Sequence, residues 1–113
     1  MFTIKTGEML KVHSASAFTK KDGTAGAVII LMENENQPEN IERPSKSKSM
    51  CKIWLDKLPK GIVNGGYITL TKIGGIEWLH IPSTYHKGEY EDVVNLVGTD
   101  FKVYKPTEAT TGA

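Results

Sequence analysis

"SMCKIWLDK", residues 49–57, sets a tryptophan between an isoleucine and a leucine, with a lysine two places before it. At the two-residue period of a β-strand, Cys51, Ile53 and Leu55 share one face, and Met50, Lys52, Trp54 and Asp56 share the other. The first set reads as core. The second joins a cation, an indole and an acid, a poor mixture for burial and an ordinary one for a surface that meets something flat and negatively charged.

Working outward, residues 25–33 are apolar up to the closing Glu33, which fits a central strand covered on both sides or one that packs in an oligomer. Residues 9–19 alternate Leu10, Val12, Ser14, Ser16 and Phe18 against Lys11, His13, Ala15, Ala17 and Thr19. They run into "KKDG", residues 20–23, where Asp22-Gly23 signals a hairpin. Residues 34–49 are polar, carry Pro38 and Pro44 and end in "SKSKS", a composition that predicts a long loop, disordered without ligand. After "KLPKG", residues 57–61, Ile68 and Leu70 alternate with Tyr67, Thr69 and Thr71. Gly74-Gly75 then reads as a reversal into residues 76–81, a second hairpin. The last strand spans residues 93–104, with a bulge or bend expected at Gly98, and "KPTEATTGA" is a short tail. No stretch keeps helical periodicity over three turns, so the chain reads as all-β.

At 113 residues the chain is one domain, and area scaling gives it burial of about two thirds of its unfolded surface, enough for one core. A net charge of +1 excludes a strongly basic nucleic-acid binder of the histone type, so any such binding needs a local patch. One cysteine makes no internal bridge, and "MFTIKTGEMLKV" lacks the apolar run of a signal peptide, which together predict a cytoplasmic protein. The longest apolar run, residues 25–32, is far short of the ~20 residues needed to cross a bilayer, and no membrane role is expected.

Catalytic chemistry finds little to use. His80 and His86 lack the cysteine pair or acidic partners of a zinc site, and Cys51 falls on the apolar face, where a thiol is inert. "SKSK" (residues 45–48) and "KTG" (residues 5–7) match fragments of penicillin-binding signatures without the rest of the set, and the glycine pairs serve turns. No enzyme activity, metal or cofactor is expected.

The order of strands is that of an OB-fold, and "LPKGIVNGGYITLTKIGG", residues 58–75, resembles the stretch of single-stranded DNA-binding proteins where a lysine-glycine turn opens strand four. Over residues 5–104 the chain is similar to the small phage-type members of that family. The resemblance implies a single OB-fold over residues 1–105, a five-stranded barrel with a β-hairpin excursion between strands four and five, followed by a short disordered tail at residues 106–113. It also implies a homo-oligomer that coats single-stranded DNA in replication or recombination, in the bacterial host cytoplasm if phage-encoded, beside replication or recombination proteins. One departure is the tail: after Tyr104 it has one acid, Glu108, and no acidic phenylalanine-ended tip, a departure from the resemblance that puts tail-mediated recruitment in doubt.

Single-strand binders need cations for phosphates and flat side chains for bases. Here Phe18 leads into Lys20 and Lys21, and Lys52 precedes Trp54. Tyr67 stands ahead of Lys72, and Trp78 and His80 share a face that leads to Tyr85 and Lys87. In an OB-fold, strands two and three and the loops beside them form the ligand face, with Lys52 and Trp54 at its middle. RNA is not distinguished from DNA by these residues. Each also has a plainer reading: Trp54 packs under the long loop or in a dimer, Phe18 caps the barrel, Trp78 mediates oligomerisation, and the lysines, Lys46 and Lys48 included, solvate the surface. On those readings the chain is a β-barrel protein-protein interaction module of a phage or bacterial assembly. Salt separates the two, since phosphate contacts weaken steeply with it and apolar ones do not.

Overall fold

The computed structural model describes residues 2–37, 48–82, 87–88 and 90–104. The described chain is all-β apart from one helical turn: β1 (Met9–Lys11), β2 (Ser14–Thr19), β3 (Ala25–Met32), α1 (Glu33–Asn36), β4 (Lys48–Leu55), β5 (Tyr67–Lys72), β6 (Gly75–Pro82), β7 (Tyr90–Val97) and β8 (Asp100–Tyr104). They form a three-stranded sheet, β1-β5-β8, and a five-stranded sheet, β2-β3-β4-β7-β6. Neither sheet closes on itself, so the expected single five-stranded barrel is replaced by two sheets.

β4 behaves as its alternation predicts. It pairs antiparallel with β3, Ala27↔Leu55 to Met32↔Met50, and parallel with β7, Lys48↔Glu91 to Trp54↔Val97. Cys51 and Ile53 are fully buried, while Lys52 and Trp54 on the other face are half-buried. β3 alternates as well: Ala27, Ile29 and Leu31 are buried, and Val28, Ile30 and Met32 lie half-buried on the outward face. It is central in the sheet, with a paired strand at each edge, but only its inward face is fully covered. The core lies between the sheets, where Leu10, Ile68 and Leu70 from the small one meet Ile29, Leu31, Ile53, Val94 and Leu96 from the large one. Phe2 joins them.

Two expected long strands are each split between the sheets. Residues 9–19 break at Val12 and His13: Val12 donates its amide to Gly66 O (2.7 Å) and His13 donates to Ile30 O (2.8 Å). The break also changes the face. Leu10 and Val12 are buried, but beyond it Ala15 packs on the core, and Ser14, Ser16 and Phe18 pair beside the outward residues of β3. The last strand, expected over residues 93–104, begins at Tyr90 and breaks at Gly98, as expected, with φ +67°.

Gly74-Gly75 does not reverse the chain. β5 and β6 lie in different sheets, and β6 pairs instead with β7, Gly75↔Val97 to Pro82↔Tyr90. Gly74 is needed for close approach: a Cβ there would stand 2.2 Å from Val97 O and 2.5 Å from Gly98 O, so the chain slides past the β7–β8 bend as it changes sheet. Thr99 Oγ1 accepts the Gly74 amide at 3.1 Å and holds the crossing.

The stretch expected as a loop at residues 34–49 is structured at both ends, and residues 38–47 lie outside the described ones, as do residues 105–113. α1 places two amides that act like short pieces of strand. Asn36 Oδ1 accepts from Lys11 N (2.6 Å) while its Nδ2 donates to Lys11 O (3.1 Å) and Met32 O (3.0 Å). Gln37 does the same to Thr3, with Thr3 N donating to Oε1 (2.7 Å) and Nε2 donating to Thr3 O (2.6 Å). Together they tie the N-terminal segment over the core. No helix among the described residues is long and apolar enough to cross a membrane.

Burial pushes the Cys51 thiol from its ordinary 9.0 up to about 12. The folded state thus favours the protonated thiol, and the stability this gives is present below pH 9 and lost as pH rises towards 12. Alkylation of Cys51 by iodoacetamide is expected to follow global unfolding. Labelling of the native protein at the rate of an exposed thiol would contradict that. Gly74→Ala is expected to be among the most damaging single-methyl additions, costing about 3 kcal/mol or more in a denaturant titration because backbone must move.

Candidate nucleic-acid interface

The outward face of the large sheet can be read row by row from its registers. One row runs Ser16, Val28, Trp54, Val97; the next runs Ser14, Ile30, Lys52, Asn95, Glu77; the next runs Met32, Met50, Val93, Leu79. Trp54 therefore sits mid-sheet, with aliphatic neighbours on both sides and a lysine on its own strand.

Two contacts fix the indole. Its Nε1 donates to Asn95 Oδ1 at 2.9 Å, and Asn95 Nδ2 in turn donates to Glu77 Oε1 at 3.2 Å, a chain that crosses β4, β7 and β6. Phe18 meets Trp54 at 6.1 Å between ring centroids and an interplanar angle of 84°, an edge-to-face pair of the favourable kind. Phe18 has that place because Gly26 lies opposite it across β2 and β3. A Cβ on Gly26 would stand 2.8 Å from Phe18 Cε2 and 2.9 Å from Cζ, so the ring lies directly on bare backbone.

The β2–β3 turn adds charge beside Phe18, at the place "KKDG" predicts. Lys20 N donates to Thr24 O (2.8 Å), and Thr24 donates from both its hydroxyl (2.6 Å) and its amide (3.0 Å) to Asp22 Oδ1. Those bonds hold the Asp22 carboxyl below its ordinary range, so the turn presents an ionised acid with its lysines. Lys20 Nζ lies 3.3 Å from Asp56 Oδ1, and Lys21 is exposed.

The other expected residues fall elsewhere. Tyr67 lies on the three-stranded sheet, in register with Lys11 and Tyr104, and Lys72 ends the same strand opposite Asp100. That sheet has its own aromatic and cationic surface: Lys102 Nζ stands 5.9 Å from the Tyr104 ring centroid, and Thr69 Oγ1 donates to Tyr104 Oη at 2.9 Å. Trp78 and His80 are on the large sheet but on the face opposite Trp54, since Trp78 pairs with Val94, which pairs with Cys51. His80 stacks on Tyr90 (4.7 Å, 12°) and places Nδ1 2.6 Å from Asp92 Oδ1. Lys87 is exposed, and Tyr85 lies outside the described residues.

Nine of the expected eleven thus fall into three groups, of which Phe18, Lys20, Lys21, Lys52 and Trp54 form one continuous surface, while Lys87 joins none of them and Tyr85 is outside the described residues. Asn95 and Glu77 belong to it and went unnoticed in the sequence, because residues 41 apart meet only through the parallel β4–β7 pairing. Among the described residues no three His, Cys, Asp or Glu side chains are grouped to hold a metal. No protein-family model, curated protein or solved structure matches the chain.

Gly26→Ala is expected to push Phe18 off the sheet and change the Trp54 fluorescence spectrum, with a stability change within about 1 kcal/mol because only a surface ring moves. An unaltered spectrum would show that Phe18 does not rest on Gly26.

Proposed function

We propose that the outward face of the five-stranded sheet binds single-stranded DNA without sequence preference, and that the chain is a non-enzymatic member of the phage-type single-stranded DNA-binding proteins it resembles. The observation that carries this reading is the state of Trp54. Its one hydrogen-bond donor is already used by Asn95, so the indole cannot read a base edge; what it retains is a flat aromatic surface beside Lys52. Stacking of that kind is tolerant of sequence because every base has a π-face. Lys52, Lys21 and Lys20 supply cations along the same surface, with Glu77, Asp22 and Asp56 setting a limit on its net charge.

An OB-type architecture is supported by the order of pairings. If β1–β2, β5–β6 and β7–β8 each count as one bent strand, the first pairs with the second (β3), the second with the third (β4), the third with the fifth, the fifth with the fourth, and the fourth with the first. On that reading the β2–β3 turn and the β6–β7 hairpin flank the ligand face. Coating of DNA exposed in replication or recombination follows from the resemblance, and RNA is the alternative ligand for the same chemistry.

Trp54→Ala is expected to weaken poly-dT binding by about five- to a hundred-fold, the equivalent of ~1–3 kcal/mol, with a smaller loss of stability than a fully buried tryptophan gives. Lys52→Ala should lower the slope of log affinity against log salt by about one or less. Trp78→Ala, on the other face, should leave affinity unchanged. Equal binding by wild type and Trp54→Ala, with both folded, would remove the assignment.

A further inference from the structure

Glu77 is out of place on the proposed ligand face. Of the residues that β6 turns to that face, Gly75, Glu77, Leu79 and Ile81, it alone is polar, and an acid there repels the phosphates that Lys20, Lys21 and Lys52 would attract. No lysine neutralises it: among the described residues its carboxylate forms no ion pair. What it holds is the Asn95 amide, whose Nδ2 donates to Glu77 Oε1 at 3.2 Å while its Oδ1 accepts from Trp54 Nε1 at 2.9 Å. The order of that chain is forced by chemistry. An indole nitrogen only donates and a carboxylate only accepts, so an amide between them sits one way round, oxygen to tryptophan and nitrogen to glutamate. Turned over, it would set its NH2 against the indole N–H and its oxygen against the carboxylate.

We propose, on the reading of this face as a single-strand binder, that Glu77 is a positioning residue for Trp54. Acting through Asn95, it keeps the indole N–H occupied, so that the tryptophan stacks on any base and distinguishes none. Without Glu77 the Asn95 amide is free to turn, and its oxygen no longer stays on Trp54. The released N–H then donates to the carbonyl and ring-nitrogen acceptors of the bases, whose pattern differs from one base to the next. A hydrogen bond of that kind changes relative affinities about two- to tenfold. No other position on β6 can replace residue 77, since it is the one that stands opposite Asn95. The acid thus costs some attraction for phosphate and gives the face its indifference to sequence.

The test compares Glu77→Gln with Glu77→Ala in the full chain. Both remove the same negative charge, and only the glutamine keeps an oxygen for Asn95 Nδ2. In a Trp78→Phe background, which leaves Trp54 as the one tryptophan, exchange of the indole proton with solvent is followed by NMR without nucleic acid. Exchange is expected at the wild-type rate in Glu77→Gln and several-fold faster in Glu77→Ala and in Asn95→Leu. Affinities for poly-dT and poly-dA are then measured. Glu77→Gln should bind both at least as tightly as wild type with their ratio unchanged, while Glu77→Ala should shift that ratio about two- to tenfold. Equal exchange in the two Glu77 variants, or the same ratio in both, would overturn the proposal. The exchange result decides the positioning whatever the polymers do: exchange as expected with no binding of either polymer by wild type removes the single-strand reading, and equal exchange with binding intact removes the proposal alone.

Discussion

The register of β4 is the constraint on which the molecule depends. It is held twice, antiparallel by β3 and parallel by β7, and a slip of one residue would send Lys52 and Trp54 into the core and turn Cys51 and Ile53 outward. Burial of an unpaired lysine costs several kcal/mol, far more than such a slip could return. With β4 fixed, the aliphatic rows on either side of Trp54 follow, and so does the meeting of its indole with Asn95.

The parallel pairing has a topological consequence. Between the end of β4 and the start of β7 the chain must return to the same end of the sheet, and residues 56–89 carry it there through the small sheet as β5 and back into the large one as β6. Changing sheets needs bends, and each is held by local chemistry. Gly74 passes against the backbone of Val97 and Gly98, Thr99 accepts its amide, and Gly98 takes a positive φ. At the other end, Asn36 and Gln37 bond Lys11 and Thr3 as a neighbouring strand would, closing Phe2 and Leu10 over the core without another β-strand. The same return path leaves β6 outermost, with apolar side chains on both faces.

Much of this was legible in local pattern. The alternation in "SMCKIWLDK", the Asp22-Gly23 turn and the bend at Gly98 depend on residues within a few positions of one another, and all three stand as read. What failed depends on distant partners. Gly74-Gly75 carries the signature of a hairpin turn, yet its glycine is required by the carbonyls of Val97 and Gly98, which no local window contains. The alternation through residues 9–19 hides the change of face at Val12 and His13, because that change is imposed by bonds to Gly66 and Ile30. Trp78 looked equivalent to Trp54 as an aromatic near cations, and only the β6–β7 register puts it on the other side of the sheet.

These features converge on one physical picture of the outward face: a tryptophan whose polar edge is occupied, a phenylalanine laid on bare backbone beside it, and lysines along the strand and turn. The ligand we propose for it, single-stranded DNA, is flat and anionic. The most direct measurement is a fluorescence titration of the full chain with poly-dT at low and at high salt. The account predicts quenching of tryptophan emission on binding, and an affinity that falls steeply as salt rises because counterions are released from the strand. Emission that does not change at saturating poly-dT, or an affinity indifferent to salt, would contradict it.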